Sequence, residues 1–393
     1  MSEVHMARRA RLRDRCALAA DGAGEGRTGA VVSQPANLRY LTGCAPPYAV
    51  LLVGHDGRDT LFVQPTLPAP VAAGAGGTAA LAADLGERPL WLPGAQDELR
   101  HELLPGGGDP LLAAARSAVA VGTELLVVEE SHLTVRRHRA LVEAAPEVRL
   151  GDLSGAVEHQ RLVKDEDEIA CLRIAAEITD QALGELLESI LVGRTERHLA
   201  LELERRLIDH GGDGPAFPTS VATGPNAGVP THVPTDRRVE EGDFLSVRMG
   251  ARYRGYRCQI GRTFVIGTAP EDWQIELYEL VFAAQRAGRE ALVPGAECRA
   301  VDRAAREVLA AAGHGGAVEA RTGHGVGLEI GEDPQLSPDA MSKLDARVPV
   351  TVEPGVHLPG RGGVRIDDTL VVRSLADGGP ELLTITTKEL LAL

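Results

Sequence analysis

The sequence predicts an α+β protein in two domains, residues 1–158 and 159–393. Three features carry that reading. Residues 28–150 alternate short apolar runs with helical patterns, as a small α/β domain does. A long amphipathic pattern opens at Asp165, just after a boundary near 155–167. From there a block of two helices followed by strands occurs twice.

In the first domain, "AVLLVG" (49–54) and "DTLFVQ" (59–64) read as two strands joined by the turn signal "HDGR". "ELLVVEE" (124–130) is a further strand, and "SHLTVRRHRALVEAA" (131–145) a helix capped by Ser131. Residues 66–117, rich in Ala, Gly and Pro, resist assignment. In the second domain, Ile169, Leu172, Ala176, Thr179, Leu183, Leu186 and Ile190 fall at helical spacing. A second helix takes Thr195 as N-cap, Leu199, Leu203 and Leu207 as its apolar stripe and Gly211 as its stop. Strands are expected around 219–223, 243–250 and 254–266. The repeat then supplies helices at 271–293 and 298–312 and strands near 316–330, 347–353 and 363–373. Two such blocks pack one curved sheet with helices outside and a site in the concave face between the halves.

Composition narrows the function classes. A net charge of −15 disfavours nucleic acid and anionic membranes as partners. Cys16, Cys44, Cys171, Cys258 and Cys298 are scattered, odd in number and free of any C-x-x-C pair. They read as reduced thiols of a cytoplasmic protein, without a zinc knuckle or a disulfide frame. The N-terminus lacks the apolar stretch of a secretory signal. No apolar run approaches the ~20 residues of a membrane span. "KDEDE" (164–168) is a solvated helix start, and "GAGG" (74–77) and "GGG" (106–108) lack a phosphate-binding context and read as loops.

Five segments carry a family resemblance: "NLRYLTG" (37–43), "FPTSVATGPNAGVPTHVPTD" (217–236), "GDFLSVRMGARYRGYRCQIGRTF" (242–264), "RTGHGVGLEIGEDP" (321–334) and "VTVEPGVHLPGRGGVRIDDT" (350–369). In this order they resemble the pita-bread family of Xaa-Pro aminopeptidases, prolidases, methionine aminopeptidases and creatinase. The leading domain resembles that of the prolidase, aminopeptidase P and creatinase branch. The resemblance implies a creatinase-like N-terminal domain followed by a pita-bread domain with pseudo-two-fold repeats. It also implies a homodimer, with Arg39 and Tyr40 reaching a partner's cleft.

Peptidases of that family hold two divalent metals on two aspartates, a histidine and two glutamates. Carried over, these positions fall on Arg248, Gln259, His324, Glu353 and Asp367. Two further family histidines fall on Thr231, next to His232, and on Gly331. A guanidinium stays protonated and has no lone pair for a metal. Its charge ~4 Å from a divalent ion costs roughly 8 kcal/mol at an effective dielectric of ~20. A two-metal site is therefore disfavoured, and Arg248 stands in electrostatically for an ion between two carboxylates. Creatinase shows that the fold cleaves C–N bonds without metal, yet its proton-shuttling histidine falls on Thr231 and one of its guanidinium-binding glutamates on Gly261.

The function expected on these grounds is a metal-independent hydrolase or lyase of the creatinase type. It acts on a small anionic substrate, with no cofactor. His324 and Glu353 are its catalytic pair, with His324 raised in pKa by the neighbouring carboxylates. Arg248, Gln259, Asp367, His232 and Arg39 bind substrate. The alternatives are a non-catalytic binding protein and a hydrolase holding one metal at His324, Glu353 and Asp367. Read structurally instead, Arg262 and Arg365 brace strands, His357 is a turn histidine and His232 is solvated.

Overall fold

The computed structural model describes residues 2–20, 26–64, 99–104, 107–189 and 191–393, and the chain divides into two units, Met1–Arg161 and Leu162–Leu393. Ile190 and the glycine run at 74–77 lie outside the described residues.

The first unit is built on a mixed sheet of β1 (Thr28–Val32), β2 (Ala49–Val53), β3 (Thr60–Val63), β4 (Arg100–Leu103), β5 (Leu125–Val128) and β6 (Arg149–Asp152), in the order β4-β3-β2-β1-β5-β6. β1–β2 and β2–β3 are antiparallel, and the other pairs are parallel. Its helices are α1 (Ser2–Ala20), α2 (Pro35–Thr42), α3 (Pro110–Ala120), α4 (Val135–Ala144) and α5 (Ala156–Arg161). Leu111, Ala114 and Ala118 of α3 cover Val31, Val50, Leu126 and Val128 of the sheet. α4 is capped by Thr134, whose hydroxyl accepts from Arg137 N, and not by Ser131. Both residues are good caps, and the apolar pattern leaves the start free by one turn. α1 buries charge: Arg9 is 1% exposed and meets Asp59 at 2.8 Å, and Arg13 reaches the other oxygen of Asp59.

The second unit repeats a helix–helix–strand block. α6 (Glu166–Leu187) starts at Asp165 in a reciprocal capping box with Glu168, and α7 (Glu196–Asp209) starts at Thr195. They lead to β7 (Gly214–Pro215), β8 (Ser220–Thr223), β9 (Phe244–Met249), β10 (Ala251–Tyr253), β11 (Tyr256–Arg257) and β12 (Ile260–Val265). α8 (Asp272–Glu290) and α9 (Cys298–Ala311) open the second block. They lead to β13 (Gly323–Val326), β14 (Ile330–Leu336), β15 (Pro349–Val352), β16 (Gly355–Leu358), β17 (Gly362–Arg365), β18 (Asp368–Val371) and β19 (Glu381–Leu382). The main sheets run β12-β9-β8 and β14-β13-β15-β18-β19. α8 lays Leu277, Val281 and Ala284 on Phe244, Val356 and Ile366, which seats both blocks on one core. No helix of the described residues is long and apolar enough to cross a membrane.

Candidate active site

Strand ends bring the site together. Arg248 lies on β9, and the antiparallel register of β9 with β12 sets it opposite Gly261, two residues beyond Gln259. His324 belongs to β13, Glu353 follows β15, Arg365 ends β17 and Asp367 precedes β18. The two blocks touch at this point, where Gly261 and Asp367 exchange backbone hydrogen bonds of 3.1 and 3.0 Å. Glycine is needed at 261, because a Cβ there would stand 2.5 Å from Asp367 Cγ.

Arg248 Nη2 donates to Gln259 Oε1 and to Glu353 Oε2, both at 3.2 Å, and its Nε lies 3.4 Å from Asp367 Oδ2. The Gln259 amide nitrogen donates to Glu353 Oε2 and, at 2.9 Å, to Asp367 Oδ2. Arg365 Nε spans both oxygens of Asp367 at 2.7 and 2.9 Å, its Nη2 lies 3.0 Å from Glu353 Oε2, and its Nη1 donates to Glu319. Gln259, His324 and Asp367 are fully buried, Glu353 nearly so, and Arg248 keeps 29% of its side chain exposed. The Arg248 guanidinium, 5.2 Å from the Phe217 ring centroid, thus caps the carboxylates on the solvent side.

Burial pushes Glu353 up, but Arg365, His324, Arg248 and the Gln259 hydrogen bond outweigh it and hold the carboxyl at about 2. Asp367 moves the other way, raised by complete burial and by the charge on Glu353 against the pull of Arg365 and Arg248. Two carboxyls in one site, with environments that push them apart, divide into a firmly ionised and a more readily protonated member.

His324 departs from the sequence expectation. Burial lowers its pKa, Glu353 opposes this, and Arg321 and Arg248 add to the lowering. Desolvation of the imidazolium outweighs the attraction of the carboxylate. The neutral ring donates from Nδ1 to Gly325 O at 3.0 Å, so its Nε2 carries a lone pair. That Nε2 faces Glu353 Oε1 at 3.6 Å without a hydrogen bond, and the donors Arg248 Nε and Arg365 Nη2 lack an aligned acceptor.

The structure therefore brings Arg248, Gln259, His324, Glu353 and Asp367 together. His232 contacts none of them. It is nearly buried and not solvated, held by Glu196 at 2.7 Å, while its carbonyl accepts from Ser220, the cross-strand neighbour of Arg248. Arg39 lies on α2 of the first unit. Tyr40 is buried within that unit, under Arg8 and bonded through its hydroxyl to Gln160 O, so it is not free to reach a partner. Arg365 was expected only to brace strands, yet it touches both carboxylates. Its signal was in "VRID", since residues two apart on an extended segment share a face. Phe217 and Glu319 carried no such signal.

Fold and strand-end set together define a pita-bread protein with a creatinase-type leading domain. The family description "Metallopeptidase family M24" matches residues 170–374, and "Creatinase/Prolidase N-terminal domain" matches residues 8–163. The chain belongs to metallopeptidase family M24. It is 31% identical to the uncharacterized peptidase YqhT of Bacillus subtilis over 87% of this chain and 98% of that one. It is 37% identical to the Xaa-Pro dipeptidase of Pyrococcus furiosus over 61% of this chain and 68% of the relative. Among solved structures, the Xaa-Pro dipeptidase from Bacillus anthracis superposes with a TM-score of 0.84 at 30% identity, over 99% of this chain and 100% of that one.

These relatives overturn the expectation of a creatinase-type, metal-independent hydrolase or lyase: the family is one of metallopeptidases, and its named members here are Xaa-Pro dipeptidases. The residues of this chain nonetheless do not fit the two-metal centre. A guanidinium bridges the two carboxylates, an amide replaces the second aspartate, and among the described residues no group of three or more His, Cys, Asp or Glu side chains is arranged to hold an ion.

Proposed function

We propose that this protein recognises short peptides of the Xaa-Pro type at the centre of its second unit, as a binding member of its peptidase family. The observation that carries the reading is the cap formed by Arg248. The carboxylates beneath it are already neutralised by two arginines, while Arg248 stays partly exposed beside the half-buried Phe217 ring. A peptide carboxylate pairs with a guanidinium edge, and a prolyl ring suits an aromatic face. The test is calorimetric titration with Ala-Pro and its C-terminal amide, alongside hydrolysis assays with and without Mn²⁺. Binding of the acid, its loss in the amide and no turnover are expected. Failure of Ala-Pro to bind, equal binding of its amide, or turnover with Mn²⁺ at enzymatic rates rejects the binding-only reading.

A second reading is favoured by His324. Two acceptors, His324 Nε2 and Glu353 Oε1, face each other across 3.6 Å, as donors to a shared cation do. In that reading His324, Glu353 and Asp367 would hold one divalent ion, which would supply Lewis-acid polarisation for Xaa-Pro hydrolysis, once Arg248 and the Gln259 amide, whose nitrogen faces both carboxylates, turned aside. The Mn²⁺ arm of the same assay decides between the two.

We also propose a cytoplasmic homodimer, supported by the family of the N-terminal domain and by the five free cysteines. A monomer by light scattering at micromolar concentration rejects the dimer.

A further inference from the structure

Arg321 is the unexplained charge of the second unit. It lies just ahead of β13, three residues before His324. Its Nη1 donates at 2.7 Å to Gln335 Oε1. Gln335 is the β14 residue paired directly with His324, and paired residues of an antiparallel ladder project to the same face. The Arg321 guanidinium is thereby tethered on the face that His324 shares with Glu353. Gln335 cannot turn its amide, because its Nε2 donates to the carbonyls of Gly331 and Glu332 at 3.0 and 3.2 Å.

No side chain from position 331 covers the Arg321 guanidinium. Gly331 has no side chain, and a Cβ there would stand 3.6 Å from Arg321 Nη2. Arg321 is half-buried and, among the described residues, has no carboxylate within ion-pair distance. A half-buried guanidinium held by a neutral amide leaves its charge uncompensated, and its planar fork is suited to an anion. Arg248 differs, since its charge is already shared with Glu353 and Asp367.

Resting on the peptide-binding reading above, we propose that Arg321 selects ligands with a second carboxylate, so that the preferred peptides are acidic dipeptides. Arg248 takes the C-terminal carboxylate and Arg321 the side-chain carboxylate of the first residue. The experiment compares Glu-Pro with Gln-Pro, which differ by one charge at nearly equal shape, on the full chain and on Arg321→Gln. In the native protein Glu-Pro is expected to bind about ten-fold or more tightly than Gln-Pro, with the gap narrowing as salt rises. In Arg321→Gln the ratio falls to within about two-fold while Gln-Pro affinity holds. Arg321→Lys, which keeps the charge, retains part of the preference and guards against misfolding of the first variant. Equal binding of Glu-Pro and Gln-Pro by the native protein overturns the role of Arg321 and leaves peptide binding standing. A preference that survives in Arg321→Gln overturns it as well. Binding of neither dipeptide rejects both readings together.

Discussion

Two of the buried glutamates of the second unit, Glu196 and Glu353, sit in polar networks of opposite character. Glu196 is fully buried at the start of α7 and accepts from Thr223 N, Asn226 Nδ2, His232 Nε2, Thr235 N and Thr235 Oγ1, all between 2.7 and 2.9 Å. Burial pushes it up, but these donors hold its carboxyl below the usual range. Glu353 is nearly as buried but sits among charges, with His324, Arg248 and Arg365 each keeping a nitrogen without a hydrogen-bond partner. The first network is satisfied on both oxygens and fixes the 223–235 loop. The second has unspent bonding capacity, which is where a ligand or an ion finds partners.

Mutation separates the two. Glu353→Ala is expected to have the largest effect, a loss of about 3–5 kcal/mol, because it removes a carboxylate from two arginines of which one is almost wholly buried. Urea unfolding measures it, and a loss under 1 kcal/mol would mean that Asp367 and Glu319 alone hold Arg365. Glu196→Gln follows at about 2–4 kcal/mol, since an amide NH₂ must then face donors. Peptide affinity should survive that change. If affinity falls in step with stability, the networks are one and the contrast fails.

Acid offers a graded test. Glu353 is depressed to about 2, so the stability it contributes is present above the unfolded carboxyl value near 4.5 and is lost as pH falls through about 2. Glu196 is also depressed and acts with the same sign. The melting temperature should therefore drop between about pH 4.5 and 2, and Glu196→Gln should flatten part of that drop. A wild-type melting temperature constant over this range rejects the ionised assignments. Arg248→Ala should change stability least, within about 1 kcal/mol, because its side chain is partly exposed and Gln259 and Arg365 still satisfy the carboxylates. Its peptide affinity should nevertheless fall about 10- to 100-fold. The pair Arg248→Asp with Gln259→Asp should acquire Mn²⁺ or Co²⁺ binding by calorimetry, and no gain would show that Arg365 already blocks the ion.

Much of this was legible in the sequence. The helix starts at Asp165 and Thr195, the doubled block and the convergence of Arg248, Gln259, His324, Glu353 and Asp367 all follow from caps, periodicity and ordered motifs. What the sequence concealed was burial. It shows the charges around His324 but not that the ring is sealed from water, which reverses the direction of its pKa. It gives no sign that arginines of α1 are buried, although Arg9 closes on Asp59 fifty positions away. The creatinase-type assignment failed differently. It inferred chemistry from missing ligands, while the kinship of the whole chain points to peptidases.

The contact of Gly261 with the Asp367 carboxyl also couples the two positions in any change of sequence. Any side chain arriving at 261 meets that carboxyl and breaks the seam between the blocks, while a shrinking change at 367 opens the space first. A side chain at 261 is therefore accommodated only together with a smaller or displaced side chain at 367, so the two positions act as one unit of the seam.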